Sequence, residues 1–176
     1  VHQKAFDDII RALSELPSHI KLLAVGSGPD EKMLKRLARD LGVSDRVIFI
    51  GRVDGNVVTL YRRASDIFIA PSRSEGLGSA FVSALASRLP LVAPQAGGMA
   101  DYVFDEIRNP DKAPTTWVID PDSPTQIAAK VREIIANPER AKRISEHGRA
   151  LIEKEYNWSE IAQSMQILFL TTAEKR

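Results

Sequence analysis

The sequence predicts an α/β domain, a Rossmann-like parallel sheet flanked by helices, and two observations carry that prediction. Short β-branched runs alternate with longer amphipathic stretches along the chain, the pattern of repeated strand–helix units. The runs are almost wholly apolar, as strands buried on both faces must be. In chain order, residues 4–16 read as a helix because Phe6, Ile9, Ile10 and Leu13 fall on one stripe. Residues 20–26 (IKLLAVG) read as a strand. Residues 31–41 follow as a helix with Met33, Leu34, Leu37 and Leu41 inward and the cations of KMLKRLAR outward. Strands at 46–51 (RVIFIG) and 66–70 (DIFIA) bracket a helix at 57–64. A helix at 77–87 takes its stripe from Leu77, Ala80, Phe81, Ala84 and Leu85. Residues 89–93 (LPLVA) and 116–119 (TWVI) supply two more strands. A short helix at 99–104 and a polar surface loop with two prolines at 105–115 lie between them. Helices at 124–136, 138–155 and 159–171 complete the chain. A parallel sheet feeds each helix from a strand, so the helical opening leads us to expect a truncated first strand.

A chain of 176 residues with 44% hydrophobic and 27% charged residues can bury the core of one globular domain. We divide it into a core over 1–157 and a helical tail over 158–176. Lys and Arg total 24 against 23 Asp and Glu, for a formal charge of +1. Nothing draws the surface as a whole to nucleic acid, which is not an expected partner. The absence of cysteine excludes disulfides, thiolate catalysis and cysteine-based zinc sites, and agrees with a reducing, cytoplasmic setting. No apolar run approaches the ~20 residues that span a bilayer, and the opening VHQKAFDD lacks signal-peptide features. His2, His19 and His147 have no paired ligand spacing, and Asp120-Pro121-Asp122 reads as a turn and helix cap. No metal is expected.

The most informative stretch is PSRSEGLG, residues 71–78, between a strand and a helix. Open α/β sheets place ligands at the carboxyl ends of their strands. There the amides of Gly76, Leu77, Gly78 and Ser79 would point outward at the positive end of a helix dipole. Gly76 and Gly78 leave room for a phosphate to reach the backbone. Glu75 repels that phosphate, so its natural partners are hydroxyls or a cation beside the anion. A sugar attached to a phosphate meets both needs. The competing explanation of the same residues is a capped helix with glycines relieving a tight turn.

The longer stretch PSRSEGLGSAFVSALASRLPLVAPQAGG resembles the donor-binding segment of retaining GT-B glycosyltransferases of glycosyltransferase family 4, also called group 1. VHQKAFDDIIRAL, GSGP at 26–29, VIFIGRV at 47–53 and GGMADYV at 97–103 fall in that family's order. The resemblance implies the C-terminal half of a GT-B fold, with an N-terminal acceptor domain absent from this chain. It implies a nucleoside-diphosphate sugar as donor substrate, no cofactor, and transfer with retention to a glycan, lipid or small-molecule acceptor. Lys4 and Glu75 become the catalytic candidates, Lys4 on the diphosphate and Glu75 orienting the sugar. Gly26, Gly28, Arg52 and Val53 become nucleotide-lining residues beside Gly76, Leu77, Gly78 and Ser79. GSGP alone also begins like a dinucleotide fingerprint, but Glu31 stands where its third glycine belongs. Asp101 occupies a position where the family commonly has Glu.

Three departures from the family bear on activity. Ser83 stands where a second Glu would hold ribose hydroxyls, Ala5 replaces the Gly after the Lys, and Arg88 replaces a helix-ending Gly. The companion Arg and the acceptor domain are also missing, so the fragment alone is expected to be inactive. Trp158, Ile161, Ala162, Met165, Leu168 and Phe169 form a stripe that packs on this domain or turns toward the missing one. An exposed stripe would favour self-association, and the full-length protein leaves room for peripheral membrane association. The alternatives to a transferase are a noncatalytic nucleotide-sugar-binding protein and a GT-B sugar epimerase.

Overall fold

The computed structural model describes residues 2–173. Among them a 3-10 turn, His2–Lys4, leads into α1 (Phe6–Ser14). There follow β1 (Leu22–Val25), α2 (Glu31–Asp40), β2 (Val47–Gly51), α3 (Gly55–Arg63), β3 (Phe68–Ile69), α4 (Ser79–Ala86) and β4 (Leu91–Pro94). The chain closes with β5 (Trp117–Ile119), α5 (Pro124–Ala136), α6 (Pro138–Glu155) and α7 (Trp158–Ala173). The strands pair in parallel, with Leu22 opposite Val47, Phe68 opposite Leu91 and Val92 opposite Trp117. The hydrogen-bonded ladders are β1–β2 and β3–β4–β5.

The period of two along β4 and β5 divides the core into layers. Leu91, Ala93 and Val118 face Phe81 and Leu85 of α4 and Ile152 of α6. Val92, Trp117 and Ile119 face the opposite way, onto Ile127 and Val131 of α5 and Ala12 and Leu16 at α1. Ile10 and Leu13 of α1 instead pack with Leu34 and Ala38 of α2, Val43, and Val47 of β2. One helix therefore joins the two ladders. Each fully buried Leu or Ile in these layers is worth about 2 kcal/mol in removed apolar surface.

Two positions keep a glycine-like backbone without the glycine. Ala5 has φ 51° and separates the opening 3-10 turn from α1, which therefore starts at Phe6. Arg88 has φ 59° just past α4, where its amide donates to Leu85 O (2.9 Å) and that of Leu89 to Ala84 O (3.1 Å). This closes the helix in the manner of a C-terminal glycine. Ala5 and Arg88, which stand where the resemblance expects glycine, both adopt the left-handed conformation that glycine favours.

Two expectations need correction. The helix expected at 99–104 is a 3-10 turn, Gly97–Asp101. Thr115 Oγ1 donates to Tyr102 O (2.6 Å) and accepts from the Phe104 amide (3.0 Å), claiming groups a continued helix would need. Met33, assigned inward, is 51% exposed, because Leu34 and Ala38 alone fill the buried stripe of α2. Of the two arrangements the sequence left for the α7 stripe, the open one is found: Trp158 is 81% exposed, and Met165, Leu168 and Phe169 are also exposed. The 105–115 segment is the surface loop expected, with Asp105 Oδ1 accepting from the amides of Ile107 (3.0 Å) and Arg108 (2.6 Å).

Candidate functional site

Residues 71–78 leave the carboxyl end of β3 and cross in front of the Gly97–Asp101 turn. Helix α4 starts only at Ser79, because Gly78 adopts φ 67° and stands as its N-cap. Leu77, read as the helix's first apolar position, is therefore an exposed loop residue. The two segments touch backbone to backbone. A Cβ on Gly97 would collide with the Glu75 carbonyl oxygen, whose carbon lies 3.7 Å away behind it, and one on Gly98 would stand 2.7 Å from the Gly76 carbonyl oxygen. The Leu77 carbonyl accepts a hydrogen bond from the Tyr102 hydroxyl. Three consecutive carbonyls thus face the 97–102 wall. A trans peptide directs its N–H opposite its C=O, so the amides of Gly76, Leu77 and Gly78 face away from that wall. None of these amides donates a hydrogen bond within the described residues, and Gly76 and Leu77 are exposed. No acidic residue occupies the first turn of α4, whose N-terminus carries partial positive charge.

Lys4 and Glu75 meet at this loop. Lys4 Nζ donates to Glu75 Oε1, and Ser72 Oγ donates to the same oxygen at 3.2 Å. Lys4 is held there by its neighbour, since Gln3 Nε2 donates to Ser74 O (3.0 Å) and Gln3 O accepts from the Arg73 amide (2.9 Å). The Arg73 guanidinium adds a second clamp. It reaches Asp7 (3.3 Å) and Asp8 (3.2 Å) in the first turn of α1, and Asp122 after β5. Asp8 is buried, and its carboxyl is pushed above the usual range by that burial and by Asp7, against the pull of Arg73.

The remaining residues singled out in the sequence form a second group at the ends of β1 and β2. Gly26, at φ 124°, donates to Gly51 O at 2.8 Å. Gly28 O accepts from the Glu31 amide at the start of α2 (3.2 Å), and Arg52 and Val53 follow β2 directly. Ser83 lies on α4, where its hydroxyl donates to Ser79 O at 2.8 Å. Asp120 accepts from Arg108 (2.7 Å) and Gln126 (2.9 Å). His19 is exposed and His147 lies 3.3 Å from Pro114 O, while the side chain of His2 lies outside the described residues. Sequence reasoning missed Arg73, Asp7, Asp8 and Tyr102. The partners are 25 to 66 residues apart, and only the fold unites them. An arginine inside the glycine-flanked loop was the one available signal.

The architecture is that of a GT-B C-terminal domain. Sucrose-phosphate synthase from Thermosynechococcus elongatus superposes with a TM-score of 0.88 at 24% identity, over 100% of this chain and 44% of that one. The C-terminal domain of a group 1 glycosyl transferase (LpcC) from Francisella tularensis gives 0.77 at 24% identity, over 90% of this chain and 82% of the other. Anabaena HepE, solved in complex with UDP, gives 0.86 at 21% identity, over 97% and 46%. Residues 1–151 match the glycosyl transferases of group 1, and the chain belongs to that family. A similar curated protein is the GDP-mannose-dependent alpha-(1-6)-phosphatidylinositol monomannoside mannosyltransferase of Mycolicibacterium smegmatis, 31% identical over 168 residues. That match covers 90% of this chain and 42% of the relative, so the chain spans less than half the relative's length. No helix among the described residues is long and apolar enough to cross a membrane.

Proposed function

We propose that this chain is the donor-binding half of a glycosyltransferase that takes a sugar from a nucleoside diphosphate and passes it, with retention, to a glycan, lipid or small-molecule acceptor. The observation that carries the proposal is the row of three carbonyls turned to the 97–102 wall, which leaves a row of amides for a diphosphate. Lys4 supplies the cation. As the glycosyl phosphate bond breaks, negative charge grows on the departing diphosphate, and preorganised amides and an ammonium lower that barrier. Glu75, released from Lys4, accepts hydrogen bonds from sugar hydroxyls. Gly26, Gly28, Arg52 and Val53 line the nucleotide, with Ser79 and Ser83 on the phosphate and ribose side. In this reading the acceptor attacks from the face the phosphate leaves, and the phosphate takes its proton.

The reading also needs the rest of a longer protein: an acceptor domain, and a strand ahead of α1. The doubly wound order places the first strand centrally, between the two ladders, and their separation supports this. The GDP-mannose dependence named for the curated relative puts GDP-sugars first among candidate donors. A second reading, nucleotide-sugar binding without turnover, draws on Ser83, whose hydroxyl is committed to its own helix.

Calorimetric titration with GDP-, UDP- and ADP-sugars tests the donor reading. Binding of at least one is expected. Lys4→Ala should weaken it about tenfold, as loss of a charge-assisted contact does, and Ser83→Glu should leave it equal or tighter. Absence of heat with every nucleotide sugar would overturn the reading. Turnover by the complete protein after Glu75→Ala would remove Glu75 from the mechanism.

A further inference from the structure

We propose that Tyr102 is a positioning residue whose hydroxyl, by holding the Leu77 carbonyl, aims the Gly78 amide at the bound diphosphate. This rests on the donor-site reading above and adds to it a residue outside the phosphate loop. The Leu77–Gly78 peptide is followed by a glycine, which tolerates positive and negative φ almost equally. Nothing intrinsic to that peptide therefore selects which way its carbonyl and N–H point. The selection comes from the wall. Tyr102 is fully buried, and its hydroxyl donates to Leu77 O. The same hydroxyl lies 3.0 Å from the point a Cβ on Gly78 would occupy, so a larger residue there would displace it.

The phenol is itself fixed at several points. Its ring meets Tyr156 edge to face, 5.7 Å between centroids at 83°. Its carbonyl accepts from Thr115 Oγ1 (2.6 Å), and its amide donates to Met99 O (3.1 Å). Burial, with smaller contributions from Tyr156 and Glu75, pushes its ionisation well above the ordinary phenol range, so it remains a donor throughout the neutral range. A rigid donor therefore faces a peptide whose own amide donates no hydrogen bond among the described residues.

Tyr102→Phe tests the assignment, since it keeps the ring and its packing on Tyr156 and removes one donor. GDP and UDP, and separately guanosine and uridine, are titrated into the wild-type and variant chains and followed by calorimetry and amide NMR. Affinity for the better diphosphate should fall about tenfold, as loss of one well-aimed donor to an anion does. Affinity for its nucleoside should stay unchanged. Without ligand, the Gly78 amide signal should broaden or split as the peptide samples two orientations, while the Phe81 amide holds its position. A general structural loss would weaken nucleoside and diphosphate alike and would overturn the proposal. Unchanged diphosphate affinity with an unchanged Gly78 signal would also overturn it. Failure of the wild-type chain to bind any diphosphate would instead overturn the donor-site reading, and the Gly78 signal would still decide whether Tyr102 sets the peptide.

Discussion

Every residue of β4 and β5 is buried, whereas β1 buries only Ala24, β2 only Val47, and α3 none. The two ladders are built from similar apolar runs, yet they stand in different surroundings. Layers of α1 with α5 and of α4 with α6 cover the three-stranded ladder on both faces. The two-stranded ladder leaves Ile48 40% exposed, and Leu60 of the following helix is 62% exposed. The difference places the 71–78 loop beside the sealed part of the molecule. Its wall is anchored by Tyr102, which belongs to the same packed layer as β4 and α4, while Gly97 and Gly98 are exposed. The second group, Gly26, Gly28, Arg52 and Val53, sits on the open part.

The largest expected effect tests that contrast directly. Leu91→Ala in β4 should destabilise the chain by about 2–5 kcal/mol, and Leu60→Ala on α3 by less than about 0.5 kcal/mol, both read by urea unfolding. Equal effects would erase the distinction. Next in size is Gly148→Ala, where a Cβ would meet Leu85 Cδ2 at 2.7 Å and Thr115 O at 3.2 Å. Forcing α6 off α4 in this way should cost about 1–3 kcal/mol. Arg88→Gly should raise stability by about 1 kcal/mol, by removing a side chain from a left-handed backbone position. The gain at Ala5→Gly should be smaller, since that methyl is fully buried.

Asp8→Asn gives the smallest effect, and its sign depends on pH. The folded-state carboxyl titrates above its ordinary value, with burial the leading cause. Its favourable contribution is complete below the unfolded value and is lost as pH rises through the folded one. The variant should therefore gain on the parent across that window and match or exceed it at pH 7, by about 1 kcal/mol or less. Arg73 keeps Asp7 and Asp122. A large loss at pH 7 would mean that the Asp8–Arg73 contact outweighs the cost of the buried charge.

Apolar periodicity is a local property, and the parallel strands and the seven α-helices among the described residues were legible from it in order. The failures arose where distant groups decide. Thr115 stops a helix eleven residues earlier in the chain, and nothing within 99–104 announces it. For α7 the sequence left both a packed and an open stripe, because periodicity reports a face and not what covers it. At the site, the glycines and Glu75 stand out in the sequence because a phosphate cradle, as proposed, needs particular residue types close together. Tyr102 and the Arg73 cluster were not, since their roles come from contacts across strands. Ala5 and Arg88 looked like departures in backbone geometry, and the structure shows the same left-handed positions occupied by other residues.

The Lys4–Glu75 contact has one more consequence. Its ammonium and carboxylate satisfy each other, which on the donor reading would make the site a weak trap for stray anions. An anion that takes the lysine leaves the acid with the Ser72 hydroxyl alone, and a carboxylate short of partners at a partly enclosed spot is unfavourable. The compound that fits without that penalty is one carrying hydroxyl groups a few ångströms from its negative charge. On the donor reading proposed above, the pairing would favour a ligand that presents both chemical features together over one that presents either alone.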